Sequence, residues 1–129
     1  YKGVRITFVS PRGLMVGEDI KEYLHRHNAY YRETEKLDAI LPEIDVLYQT
    51  RIQKERFSDQ HEYEKFKGQY ILTLKEVGQM KPKAIIMHPL PRVDEIAVEV
   101  DASPKAAYFK QARYGLLVRM ALLKFLLKK

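Results

Sequence analysis

Cysteine is absent from all 129 residues, and that single absence removes a disulfide framework, a thiolate metal site and a cysteine nucleophile together. It fits a reducing compartment, and a cytoplasmic location is expected. Long apolar runs are missing as well: the most hydrophobic stretch, Leu116 to Leu127, is interrupted by Arg119 and Lys124. It falls short of the about 18 uninterrupted apolar residues that cross a bilayer, so no membrane partner is expected. No G-x-G-x-x-G occurs; Gly13 and Gly17 are separated by Leu14-Met15-Val16, which makes them turn and helix-start glycines and assigns no cofactor. His25 and His27 stand two apart on a helical pattern, pointing to different sides, and His61 is isolated, so no metal is expected. Internal repeats, low-complexity segments and linkers are all lacking. The chain opens on Tyr1-Lys2-Gly3 and passes at once into an apolar run, leaving no room for a targeting peptide. A segment of something longer is the expectation.

What is present suits one domain with one core: 129 residues at 46% hydrophobic. The formal charge of +6 raises the question of nucleic acid. Its distribution argues otherwise, because Lys and Arg are mixed with Glu and Asp, and the tight cluster Lys128-Lys129 sits at the extreme end. No nucleic-acid partner is expected; small anionic substrates give a simpler reason for surplus positive charge.

Apolar runs rich in β-branched and aromatic residues predict strands at Val4–Val9, Ala29–Arg32, Ile44–Tyr48, Gln69–Leu72 and Ala84–Met87. Between them, helical spacing predicts a helix over Leu14–His27, with Ile20, Tyr23, Leu24 and His27 on one face, acids early and bases late. Further helices are predicted from a Thr34 N-cap toward Pro42, near Gln60–Phe66, over Leu74–Gln79 and from about Ala106 to Leu127. Strands alternating with helices indicate βαβ crossovers. The expected fold is α/β: a doubly wound, Rossmann-like parallel sheet of about five strands with helices on both faces. The last helix is apolar most of the way round, as for a helix in the core between the sheet and another body, and its surplus hydrophobicity points to a neighbour.

Two stretches carry chemistry. Ala84-Ile85-Ile86-Met87 stops at His88-Pro89-Leu90-Pro91-Arg92, where two prolines leave the Pro89 and Leu90 carbonyls unpaired with any neighbouring strand and open to a ligand. Upstream, Thr50-Arg51-Ile52-Gln53-Lys54-Glu55-Arg56 leaves the third strand, and a guanidinium fork there suits a carboxylate. Taken by itself, this run also fits a solvated loop with internal salt bridges. Parallel sheets bind ligands beyond the carboxyl ends of their strands, where both stretches fall. Imidazole as a side-chain type invites acid–base chemistry, yet no Ser, Cys or carboxylate stands at a diagnostic spacing from His88, so it is expected to line the site or to be structural.

The words "HPLPR" and "TRIQKER", in this order, resemble the aspartate carbamoyltransferases from about Val4 to Leu127, over the second, aspartate-binding domain of that two-domain enzyme. The resemblance implies that Arg51 and Gln53 bind the carboxylate side of L-aspartate and that Glu55 steadies Arg51. It also implies that the Pro89 and Leu90 carbonyls accept bonds from the carbamoyl NH2 of carbamoyl phosphate, that the Leu90–Pro91 bond is cis, and that Arg56, Arg92 and Asp94 position the loop. The family's Ser-Thr-Arg-Thr phosphate motif, its catalytic histidine and an arginine before the first strand have no counterpart here. They would come from the preceding carbamoyl-phosphate domain and neighbouring subunits of a catalytic trimer. By the same resemblance the function is carbamoyl transfer in pyrimidine biosynthesis, with no appreciable turnover by this chain alone. Leu14-Met15-Val16-Gly17 departs from the proline that relatives usually carry nearby, which bears on the helix start and not on the site.

Two alternatives stand beside this reading. An ornithine carbamoyltransferase would carry a cysteine where Pro89 stands and a Ser-Met-Gly element after the third strand; Arg51 would repel ornithine. A non-catalytic basic interaction domain has no physical need for unpaired carbonyls and an exposed fork.

Overall fold

The structure is a computed structural model that describes residues 3–127, the side chain of Arg56 excepted. Lys128 and Lys129 lie outside the described residues. The chain divides into two compact units, Tyr1–Ile40 and Leu41–Lys129.

In the first unit, β1 (Ile6–Val9) and β2 (Tyr31–Thr34) form a parallel pair in the register Ile6 to Tyr31 through Val9 to Thr34. A 3-10 turn (Arg12–Leu14) and α1 (Glu18–Arg26) connect them. Glu18 and Asp19 in the first turn and His25 and Arg26 in the last complement the helix dipole. Of the expected apolar stripe, Leu24 is buried while Ile20 and Tyr23 are exposed, because a two-stranded sheet is too narrow to cover the whole face. Tyr23 instead stacks on His27, with ring centroids 4.1 Å apart.

The second strand begins two residues later than its composition predicts, and Thr34 does not cap a helix. Its carbonyl accepts from Ser10 N–H at 3.2 Å, continuing the ladder, and its Oγ1 accepts from Lys36 N–H at 3.2 Å in a turn. Residues 38–43 form turns in place of the expected helix.

The second unit contains β3 (Val46–Tyr48) and β4 (Ile85–Met87), again parallel, with Val46 opposite Ile85 and Tyr48 opposite Met87. Leu47 and Ile86 turn inward, alternating with outward Val46 and Ile85. The core gathers Leu41, Leu47, Leu72, Ile86, Ile96 and Val100 with the ring of Tyr108. Two isolated parallel bridges extend the pairing: Leu72 with Ile96, and Ile86 with Ala106. The run Gln69–Leu72 reduces to the first of these bridges. Tyr70 sits at φ 60°, and a left-handed residue breaks an extended run. The described residues therefore hold two two-stranded parallel sheets.

Three helices complete this unit: α2 (Gln60–Glu64), α3 (Leu74–Gln79) and α4 (Tyr108–Leu126). A capping box starts α3. Thr73 Oγ1 accepts from Lys75 N–H at 3.2 Å while Glu76 Oε2 accepts from Thr73 N–H at 2.9 Å. These bonds hold the Glu76 carboxyl below its ordinary range, the Thr73 hydroxyl contributing most. Core packing is expected for α4; the structure buries Tyr108 at its start, while Leu116, Leu117, Val118, Met120, Leu122, Leu123 and Phe125 are exposed.

Candidate functional site

Adjacent parallel strands deliver two loops to the same end of the second unit's sheet. Gln49 N–H donates to Met87 C=O at 2.9 Å, the last rung of the ladder. Immediately beyond it Arg51 leaves β3 and His88 leaves β4. A cavity of about 240 Å³ opens there, lined by Gln49, Arg51 and Lys54 from the first loop, Tyr63 and Lys67, and Val93, Asp94 and Glu95 from the second. Arg51 and the far half of the loop after β4 therefore face one space. Gln53 and the Pro89–Leu90 peptide do not line it.

The Arg51 guanidinium is held in a two-pronged pair by Glu55, Nη1 to Oε2 at 3.0 Å and Nη2 to Oε1. A 3-10 turn, Lys54–Arg56, folds the chain so that residues four apart meet. The Glu55 hydrogen bond raises the Arg51 pKa, so the fork stays charged. Each terminal nitrogen spends one N–H on Glu55; the remaining N–H groups can serve a carboxylate ligand. Gln53 is the extended residue preceding that turn, and Lys54 Nζ stands 5.9 Å from the Tyr63 ring centroid. The side chain of Arg56 lies outside the described residues.

His88 is buried, and a carboxylate does meet it, contrary to the expectation from spacing. Its Nε2 donates to Glu95 Oε1 at 2.6 Å, and its Nδ1 accepts from Leu90 N–H at 2.8 Å. With Nδ1 an acceptor, the ring proton belongs on Nε2. Glu95 Oε2 accepts from the backbone N–H of Val93 at 3.1 Å and of Asp94 at 3.2 Å. Burial pushes the Glu95 carboxyl up, but the backbone N–H groups and the His88 ring outweigh it and hold the group below its ordinary range. Gln111 of α4 ties both strand ends together. Its Oε1 accepts from His88 N–H at 3.0 Å and its Nε2 donates to Tyr48 Oη at 3.1 Å.

Within the loop, Leu90 adopts φ 51° and the Leu90–Pro91 peptide is cis. Among the described residues no hydrogen bond is accepted by the carbonyl of Pro89 or Leu90. Arg92 anchors the loop from the far side. Its Nη2 donates to Asp101 Oδ2 at 2.7 Å and its Nη1 to Asp101 Oδ1, while Tyr108 Oη donates to the same Oδ1. The hydrogen bond from Arg92 holds the Asp101 carboxyl below its ordinary range and raises the Arg92 pKa. Burial, followed by the bond to Asp101, pushes the Tyr108 phenol up to about 12. Asp94 lines the cavity and contributes its backbone N–H to Glu95.

Sequence reasoning passed over Gln49, Glu95, Asp101, Tyr108 and Gln111. Of these Glu95 had a signal, since a glutamate seven residues after a histidine in a proline-bent loop can fold back on it. Gln49, buried at the end of β3, donates from Nε2 to Tyr70 C=O at 3.1 Å and thereby holds the cavity's opposite wall.

A family model for the aspartate/ornithine carbamoyltransferase Asp/Orn-binding domain matches residues 1–126. The chain is 52% identical over 128 residues to a chloroplastic aspartate carbamoyltransferase 2 of Pisum sativum, covering 98% of this chain and 33% of that protein. Among solved structures, the catalytic subunit of M. jannaschii aspartate transcarbamoylase superposes with a TM-score of 0.87 at 53% identity, over 98% of this chain and 42% of that one. The Trypanosoma cruzi aspartate transcarbamoylase, solved in complex with carbamoyl phosphate and aspartate, superposes with a TM-score of 0.83 at 38% identity, over 92% and 40%. The chain thus spans about a third of the Pisum sativum relative's length. Joined with an α/β fold whose "TRIQKER" and "HPLPR" loops leave neighbouring parallel strands, these likenesses make the chain a member of the aspartate/ornithine carbamoyltransferase family, within its Asp/Orn-binding domain.

Proposed function

We propose that the chain is the aspartate-binding half of an aspartate carbamoyltransferase. In that reaction the amine of L-aspartate attacks the carbonyl carbon of carbamoyl phosphate; the new C–N bond forms, the C–O bond to phosphate breaks, and N-carbamoyl-L-aspartate and phosphate result, with loss of one amine proton. The observation that carries this reading is the cavity beyond β3 and β4, where an oriented guanidinium, Arg51, faces Val93, Asp94 and Glu95 from the far half of the loop after β4. A carboxylate of aspartate takes the remaining N–H groups of Arg51, with Gln53 beside it. The carbonyls of Pro89 and Leu90 orient the carbamoyl NH2. Glu55, Arg56, His88, Pro91, Arg92 and Asp94 hold these groups in place. Such a reaction depends on two anions held in line with donors aimed at the developing charge.

Donors for the phosphate and the oxyanion lie outside these 129 residues, in a carbamoyl-phosphate domain and in neighbouring subunits of a homotrimer. Pyrimidine biosynthesis in the cytoplasm, without a nucleic-acid partner, belongs to the same proposal. So does the finer fold, a doubly wound sheet of about five strands; the parallel pairing within each unit supports the α/β class. An arginine at the mouth of the cavity favours aspartate over ornithine, whose cationic side chain it repels.

Steady-state formation of carbamoyl aspartate tests the proposal. The full-length enzyme should produce it, Arg51→Ala should abolish aspartate-dependent turnover, and the 129-residue chain alone should give none. Unchanged aspartate affinity in the Arg51 variant, or robust product from the isolated chain, overturns the assignment.

A further inference from the structure

Leu90 N–H and Pro89 C=O belong to one peptide unit. In a trans peptide they point in opposite directions, so whatever pins the N–H also sets the aim of the carbonyl. Here the pin is the buried His88 ring, whose Nδ1 accepts from Leu90 N–H at 2.8 Å. That bond also supports Leu90 in the left-handed region at φ 51°, a conformation that a leucine does not hold without help.

A histidine can accept at Nδ1 only if its proton sits on Nε2. Glu95 imposes that choice, since its Oε1 takes the Nε2 proton at 2.6 Å and an anionic carboxylate has no proton to offer in return. Glu95 is itself fixed, because its Oε2 accepts from Val93 and Asp94 N–H. A chain of directed bonds thus runs from the 93–94 backbone through Glu95 and His88 to the Pro89–Leu90 peptide. With both ring nitrogens occupied, His88 has no site left to take a proton from a substrate.

We propose that Glu95 and His88 are positioning residues for carbamoyl transfer: Glu95 selects the ring tautomer, the ring pins Leu90 N–H, and the Pro89 carbonyl is thereby aimed at the carbamoyl NH2 group. This rests on the function proposed above. It assigns Glu95 a role through the ring it holds, and it makes His88 a directional acceptor and not a base.

Three variants of the full-length enzyme separate this from simple packing. Asparagine at position 88 can place its carboxamide oxygen near the Nδ1 position and keep an acceptor for Leu90 N–H. Glutamine reaches toward Glu95 and leaves that N–H without one. Glu95→Gln either turns its NH2 against the Val93 and Asp94 N–H groups or donates to Nε2 and forces the wrong tautomer. In His88→Gln and Glu95→Gln, kcat should fall on the order of 100-fold, the scale of a misplacement of about 1 Å, and His88→Asn should stay within about tenfold of the parent. KM for aspartate should move less than about threefold in the two His88 variants, because Arg51 and the charges around it are untouched.

Thermal melts of each variant accompany the kinetics. Equal losses in His88→Asn and His88→Gln, scaling with lowered melting temperature, overturn the positioning role while leaving the proposed function intact. A parent enzyme that forms no carbamoyl aspartate overturns both.

Discussion

Replacing Arg92 by alanine, Asp101 by alanine, and both together isolates the tether that holds the proline-bent loop to the rest of its unit. The two side chains make a forked pair, with side-chain exposures of 16% for Arg92 and 29% for Asp101. An exposed ion pair contributes about 0.2–1 kcal/mol, whereas breaking a fully buried one costs about 3–5 kcal/mol. Forked geometry and partial burial place this pair between those limits, with a coupling energy of about 1–2 kcal/mol. Urea unfolding of the chain followed by circular dichroism measures it, since no tryptophan is present to report by fluorescence.

The pH dependence supplies a second check. Asp101 is held below its unfolded value, first by the Arg92 hydrogen bond, so its stabilisation is fully present above the unfolded pKa of about 3.9 and is lost as pH falls through the lower folded value. Coupling should be the same at pH 7 and pH 5 and collapse in stronger acid. A coupling under about 0.3 kcal/mol at neutral pH, or one that survives protonation of the carboxylate, would refute the tether.

Tyr108 extends the same cluster into alkali. Its phenol is pushed up to about 12 by burial and by Asp101, so stability should fall as pH rises from the unfolded value of about 10 toward about 12, and Tyr108→Phe should flatten that decline in alkaline urea titrations. At the start of α3, Thr73→Ala removes the capping hydroxyl and should cost about 1 kcal/mol in the same unfolding assay, while Thr73→Ser should retain most of the stability.

Legibility in the sequence followed the range of the interactions. Helix α3 matches its expected bounds, Leu74–Gln79, because its start is set locally: Thr73 and Glu76 close a capping box across the first turn. Strand β2 was displaced by two residues, since its register comes from pairing Ile6 with Tyr31 across the sheet and not from its own composition. Tyr70 defeated the strand expected at Gln69–Leu72, because nothing in a Tyr-Ile-Leu run announces a positive φ. For α4 the pattern announced hydrophobicity correctly and misjudged its burial beyond Tyr108.

From the order of its residues alone, the chain discloses an alternation of strands and helices, a guanidinium just past one strand and a proline-stiffened turn just past another. These are local facts, set by residue type, side-chain period and the missing N–H of proline. Only the tertiary structure decides that the two strands are neighbours, that Glu95 folds back onto His88, and that Gln111, distant in sequence from Tyr48, ties the two strand ends together. The physical reason is that a hydrogen bond depends on distance and direction in space. Residue order determines which groups are available to bond, and the packed core determines which of them meet.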